Sequence, residues 1–244
     1  MPGLGTIVNT AAIIIGGITG YFAKKLLNDR IQKILLLAMA LSVLMMGING
    51  AVSKSLQITD GAVTITGNYM VIFSLVLGGL VGEIIDADGK MEKFGAYLKK
   101  RSGNEKDSAF ISGFLNASFT VCIGAMAVMG SLMDGIFHDH SILFTKAVLD
   151  FVIIMVMTAS MGKGCIFSAI PVFIFQGIIT LLSSFISPVL NDAAMNNLSL
   201  VGSILIMCIG INLLFDGRFS IKVANLLPSI VFAVIAAYIP FLNI

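Results

Sequence analysis

Tryptophan is absent from this chain, histidine occurs twice, and only 11% of the residues carry charge. Soluble domains run near 25% charged residues. That shortage, beside a 57% hydrophobic content and a mean hydropathy of +1.01, excludes an ordinary soluble domain. Cysteine is scarce too: Cys122, Cys165 and Cys208 lack metal-ligand spacing and read as small buried residues, not disulfides or zinc ligands. Both histidines fall in His138-Asp139-His140, which a short solvated loop explains better than a metal pair. No metal and no cofactor is expected. No nucleophile–base pair, phosphate loop or zinc-protease signature is present, so no enzyme is expected either. With tryptophan missing, Tyr21, Tyr69, Tyr97 and Tyr238 are the aromatics available for the membrane interface.

Long apolar runs are what the chain has in quantity. Eight of them match the roughly 18–23 residues that cross a ~30 Å hydrocarbon core: Gly5–Leu27, Ile31–Ala51, Tyr69–Ile85, Phe110–Leu132, Ile142–Met161, Ile166–Ile186, Leu198–Phe215 and Val223–Phe241. They predict an all-α, polytopic membrane helix bundle of about eight transmembrane helices, a single integral membrane domain over residues 1–244. The first run lacks a basic leader and meets a basic stop, as a retained span does.

Thirteen of the fifteen Lys and Arg lie in odd-numbered connections. These are Lys24, Lys25, Arg30 and Lys33 after the first span and six residues from Lys90 to Lys106 after the third. Lys163 follows the fifth, and Arg218 and Lys222 follow the seventh. Only Lys54 and Lys146 fall on the other side. By the positive-inside bias the odd connections are cytoplasmic and both termini face outward. The basic side favours anionic lipid headgroups. Nucleic acid is not an expected partner, because this bias already accounts for the charge.

The long third connection, about 88–108, places Met91, Phe94, Tyr97 and Leu98 at helical spacing opposite Lys93, Lys99, Lys100 and Arg101. This predicts an amphipathic helix in the inner interface. Gly16-Gly17-Ile18-Thr19-Gly20 and Gly78-Gly79-Leu80-Val81-Gly82 share the form GGxxG. Small residues at i and i+4 let helix backbones approach, so Gly16, Gly20, Gly78 and Gly82 predict packing of spans one and three on each other, with a homo-oligomer interface as the alternative. An echo joins Leu27-Asn28-Asp29 and Gly47-Ile48-Asn49 to Leu190-Asn191-Asp192 and Gly210-Ile211-Asn212 at a constant offset of 163. Shared descent would make spans one and two an inverted repeat of spans six and seven, a device of secondary transporters.

Charge at membrane depth costs about 2.5–3.5 kcal/mol per residue, so each case needs a reason. Lys146 and Asp150 lie four apart on span five, with Asp150 ~12 Å below the outer boundary at ~1.5 Å rise per residue. They form either a self-neutralised pair or a cation- or proton-responsive site. Glu83 lies ~9 Å inside the inner boundary, able to snorkel toward Lys90 or Lys93 or to line a vestibule. Gln176 sits ~15 Å into span six, and Asn116 is one of several amides nearer span ends. Pro171 interrupts span six, either as a mere kink or as a break that frees a carbonyl near Ser168.

The stretch Phe110–Ser131, Lys146-Ala-Val-Leu-Asp150, Ala159–Phe173 and Gln176-Gly177 resembles the domain-of-unknown-function 554 family of bacterial inner-membrane proteins. So do Gly5–Asn9 with Gly16-Gly17, and Val223–Pro228. The match is looser over Lys54–Asn68, and Met133 stands where an acidic residue is expected. The resemblance implies a multi-pass inner-membrane protein, by label a transporter, with no substrate attached. The combined expectation is a transporter moving a small solute or ion by alternating access. Asp150 would be the coupling group, Lys146 its resting partner, and Gln176 and Ser168 the solute contacts. A channel, or a non-transporting scaffold, is the alternative.

Overall fold

A computed structural model describes residues 1–59, 62–215 and 220–243. Arg218, counted above in the charge alternation, lies outside the described residues. The long elements are α1 (Leu4–Leu26), α2 (Asp29–Ser55), α3 (Asn68–Ile84), α4 (Ala87–Arg101), α5 (Phe110–Cys122), α6 (Ala125–Ile136) and α7 (Ser141–Met161). After a 3-10 segment, Lys163–Ser168, come α8 (Ala169–Leu181), α9 (Ser183–Ile186), α10 (Asp192–Phe215), α11 (Val223–Leu226) and α12 (Pro228–Ala236).

Among the described residues five segments, Leu4–Lys24, Arg30–Ser55, Ser141–Met161, Lys163–Leu181 and Asp192–Phe215, are long and apolar enough to cross a membrane. Two bent pairs raise the number to seven: α3 with α4, at 55°, and α5 with Met126–Ile136, at 58°. Val223–Ala236 is a shorter apolar helix. The helix faces agree with a lipid solvent. Ile15, Phe22, Ile72, Val76, Val148 and Val231 point outward, while Asn9, Asp134, Asp150 and Gln176 are buried. That is the reverse of what water would select.

Glycines set the packing. Gly16 and Gly20 lie against the carbonyl oxygens of Phe151 and Met155, so α1 seats on α7 with its backbone on two carbonyls one turn apart. Gly78 and Gly82 face Ser229 and Asn225, seating α3 on α11 and α12. The glycines do pack helices closely, but each GGxxG stretch meets another partner, and the expected pairing of spans one and three is not the one formed. The reason is local: only a helix presenting bare carbonyls or small residues at matching height can fill such a notch. The two echo segments form the antiparallel pair α2–α10. Asn28 accepts from Ile31 N (2.9 Å) and Asn191 from Ala194 N (2.8 Å). Gly47 rests on Met207, and Gly210 on Leu44.

Two further departures are physical. A β-hairpin, Leu56–Thr59 paired with Ala62–Ile65, joins α2 to α3 in an otherwise helical chain; its end of the bundle is called the hairpin end below. The α4 helix exists as expected and exposes Tyr97, but Phe94 and Leu98 pack on Phe110 and Phe114 of α5, the Phe94–Phe114 rings 5.8 Å apart. Its apolar face is therefore partly satisfied by protein.

Candidate functional site

Four buried polar side chains from three helices converge in the bundle. On α7, Lys146 Nζ donates to Asp150 Oδ2 at 2.5 Å. From α1, Asn9 Nδ2 donates to the same oxygen at 3.0 Å and to Gln176 Oε1 on α8 at 3.4 Å. Lys146 is 7% exposed, Asp150 3%, and Asn9 and Gln176 fully buried. The i,i+4 spacing makes the ion pair on one helix face. The seating of α1 through its glycines then brings Asn9 within reach. Desolvating two charges is repaid only where geometry and added hydrogen bonds are good, and Asn9 supplies the added bond.

A cavity of about 310 Å³ borders this pair and extends toward the hairpin end, where Ser53 and Lys54 line it. Lys146, Asp150, Thr120, Ser199 and Ser203 line it, with Lys54 of the last turn of α2. Its wall includes Ile123 and Gly124, where α5 gives way to α6. Gly124 has φ +148°, a conformation side chains rarely adopt. Interrupted helix at this depth is tolerated where it lines a cavity. A second cavity, about 430 Å³, lies toward the α4 end and is lined by Asp88, Glu92, Asn116, Ser112, Asn212 and Ser220, among others. Burial first, and the Glu92 charge second, hold the Asp88 carboxyl above the usual carboxylate range. Asn116 and Thr120 are one turn apart on α5 yet line opposite cavities. Thr120 Oγ1 donates to Asn116 O at 2.7 Å.

The structure thus brings together Asp150, Lys146 and Gln176. It does not bring Ser168, Asn116 or Glu83 to them. Ser168 Oγ donates to Cys165 O at 2.7 Å. Pro171 breaks no helix: Gly162, at φ +98°, ends α7, and α8 begins only at Ala169, so Pro171 sits in a first turn where its missing N–H costs nothing. Glu83 turns to neither Lys90 nor Lys93. It accepts from Asn225 Nδ2 at 2.5 Å and Lys222 Nζ at 3.3 Å, while Asp88 N donates to Asn225 Oδ1 at 2.7 Å. This knot ties α3, α4 and α11.

Two buried polar positions were not singled out from sequence. Asn9 entered only as the last residue of the Gly5–Asn9 stretch. Asp134, fully buried, accepts from Gly3 N and Gly5 N, both at 3.1 Å, and pairs with His140 Nδ1 at 2.8 Å. It caps the start of α1 from another helix and draws His140 out of the solvated loop expected for it. Asp134→Ala should lower stability by about 1–2 kcal/mol through loss of that cap, read as a lower melting temperature in detergent. An unchanged value would mean that the α1 start is held by other contacts.

Together these features define a multi-pass α-helical membrane protein with a buried charged centre. The chain belongs to the family described as Protein of unknown function (DUF554), whose model matches residues 4–238. It is 30% identical over 237 residues to the uncharacterized membrane protein YdfK of Bacillus subtilis (strain 168), covering 96% of each chain. It is 25% identical over 237 residues to the uncharacterized protein YqgA of Escherichia coli (strain K12), covering 94% of each. No solved structure gives a significant match.

Proposed function

We propose that this protein is a transporter of the bacterial inner membrane that moves a small solute or ion by alternating access. Asp150 is the group at which a coupling cation or proton is exchanged. The observation carrying this is a buried ion pair open to a cavity on one side and backed by amides on the other. A pair serving only to neutralise itself has no use for a cavity. Binding a cation or proton at Asp150 releases Lys146, and the change of charge biases which end of the bundle is open.

The arrangement of helices supports the same reading. The contact of Gly47 with Met207 recurs, shifted by the 163-residue offset of the echo, as that of Gly210 with Leu44. Such exchange is what a two-fold axis in the membrane plane produces, and α3 lies antiparallel on α12 in the same sense. We read the chain as eight crossings with an inverted repeat, the broken α5–α6 as one crossing and α11–α12 as the last. Both termini are then outside.

Purified protein should melt higher in the presence of one member of a panel of inorganic ions and small metabolites, because a ligand of the native state stabilises it by mass action. The Lys146→Met, Asp150→Asn double variant should fold but lose that shift. A shift of equal size in the double variant would remove Asp150 from the binding site.

A further inference from the structure

Beside the cavity, a second line of polar groups leads to Asp150. Four side-chain atoms along the seam between α1 and α8 have no hydrogen-bond partner among the described residues: Thr6 Oγ1, Asn9 Oδ1, Gln176 Nε2 and Thr180 Oγ1. Their residues are 2%, 0%, 0% and 6% exposed. Thr6 and Asn9 are three apart on α1, and Gln176 and Thr180 four apart on α8, so each pair shares one helix face. The Asn9–Gln176 bond shows that the two faces meet. One turn outward, Thr6 and Thr180 line a groove of about 410 Å³ whose other walls are mostly apolar, Ile7, Phe173 and Leu181 among them, and which reaches Pro2 and Gly3 at the start of α1. One step inward, Asn9 bonds to Asp150.

Buried hydroxyls and amides without partners are unfavourable and uncommon in native interiors. Where several occur in sequence beside an open groove, water is the ligand that fits, since it can donate to Asn9 Oδ1, accept from Gln176 Nε2 and do both at the threonines. We propose that the α1–α8 seam is a hydrated file through which Asp150 exchanges protons with solvent at the groove. It is separate from the solute cavity bounded by α2, α5, α6, α7 and α10.

A proton taken from groove water passes from water to water along the file, and the last water hands it to the Asp150 carboxylate, which becomes neutral and releases the Lys146 ammonium; the amides and hydroxyls hold the waters without relaying the proton, and the reverse step returns it. The charged and titratable groups near this path are few. Lys146 lies on the same helix as Asp150, and Lys54 of α2 lines the cavity opposite. Cys122 of α5 is within electrostatic reach of the pair. Asp134 with His140 stands at the groove mouth through Gly3. On the path itself α1 and α8 present only hydroxyls and amides. The proposal rests on the reading of Asp150 as an exchangeable site.

The test uses full-length protein in lipid vesicles with Cys122, Cys165 and Cys208 replaced by Ala, and single cysteines introduced. The probe is 2-aminoethyl methanethiosulfonate, which reacts with thiolate and hence where water reaches. Thr180→Cys, Thr6→Cys and Gln176→Cys should label about tenfold or more faster than lipid-facing Val76→Cys and dry-core Val172→Cys. In the Gln176→Cys background, Thr6→Val with Thr180→Val should bring labelling down to the Val172→Cys rate. Labelling of all three seam positions at the Val172→Cys rate overturns the file. The outcome is separable from the transport reading. Fast labelling of the seam, with no ion or metabolite shifting the melting temperature, would sink transport and leave the hydrated seam standing. The converse result would sink the file alone.

Discussion

Asp150→Asn should destabilise the protein by about 3 kcal/mol or more, the cost of leaving a buried partner charge uncompensated. Lys146 is 7% exposed, so its ammonium would keep only a neutral amide at 2.5 Å where a carboxylate had been. Lys146→Met should cost a similar amount by stranding the carboxylate, although Asn9 still donates to it. The double variant should recover most of the loss, because removing both charges together also removes their desolvation cost. Equilibrium unfolding in detergent for the two single variants and the double variant closes the cycle. Additive losses would mean that the two side chains do not depend on one another.

The second large effect is steric. Gly16→Leu with Gly20→Leu should lower stability by about 3 kcal/mol or more, above the common range for overpacking, since the obstacle is backbone and cannot rotate away. A Cβ at either position would fall inside the contact distance of Phe151 O or Met155 O. Pushing α1 off α7 also removes Asn9 from Asp150, so the pair loses its third member. Gly177→Leu is the control: a Cβ there meets nothing within 4 Å, and melting should be nearly unchanged. Equal melting of the Gly16→Leu, Gly20→Leu variant and the parent would show that the α1–α7 contact is not tight.

What the sequence made legible follows from how local each signal is. Lys146 and Asp150 are four apart, so helix periodicity alone puts them together. Gln176 stood out because an amide in the middle of an apolar run must find a partner. That its partner is Asn9, 167 residues away, is set by how α1 and α8 meet, and no spacing encodes it. Asp134 was hidden for the same reason: its backbone partners, Gly3 and Gly5, are 131 and 129 residues away. GGxxG announces a close approach without naming the helix that approaches, which is why the pairing of spans one and three went astray. Pro171 was misread because the 3-10 segment delays the start of α8, turning a helix breaker into a first-turn residue. The hairpin did leave a signal in the β-branched residues Ile58, Thr59, Val63, Thr64 and Ile65, overshadowed by the apolar spans on either side.

The central claim, that the bundle opens to one end at a time around Asp150, is tested most directly on α5. Asn116 lines the cavity toward the α4 end and Thr120, one turn later, the cavity reaching Asp150. With Asn116→Cys and Thr120→Cys in one molecule lacking the native cysteines, an impermeant thiol reagent is applied from each side of sealed vesicles. The account predicts that each cysteine is reached from one side only. It also predicts that modifying Asn116→Cys, which biases the bundle toward opening to Asp150 from the α4 end, slows Thr120→Cys severalfold, because Asp150 is reached from one end at a time. Labelling of both from the two sides at once, with neither affecting the other, would contradict alternating access and describe a channel.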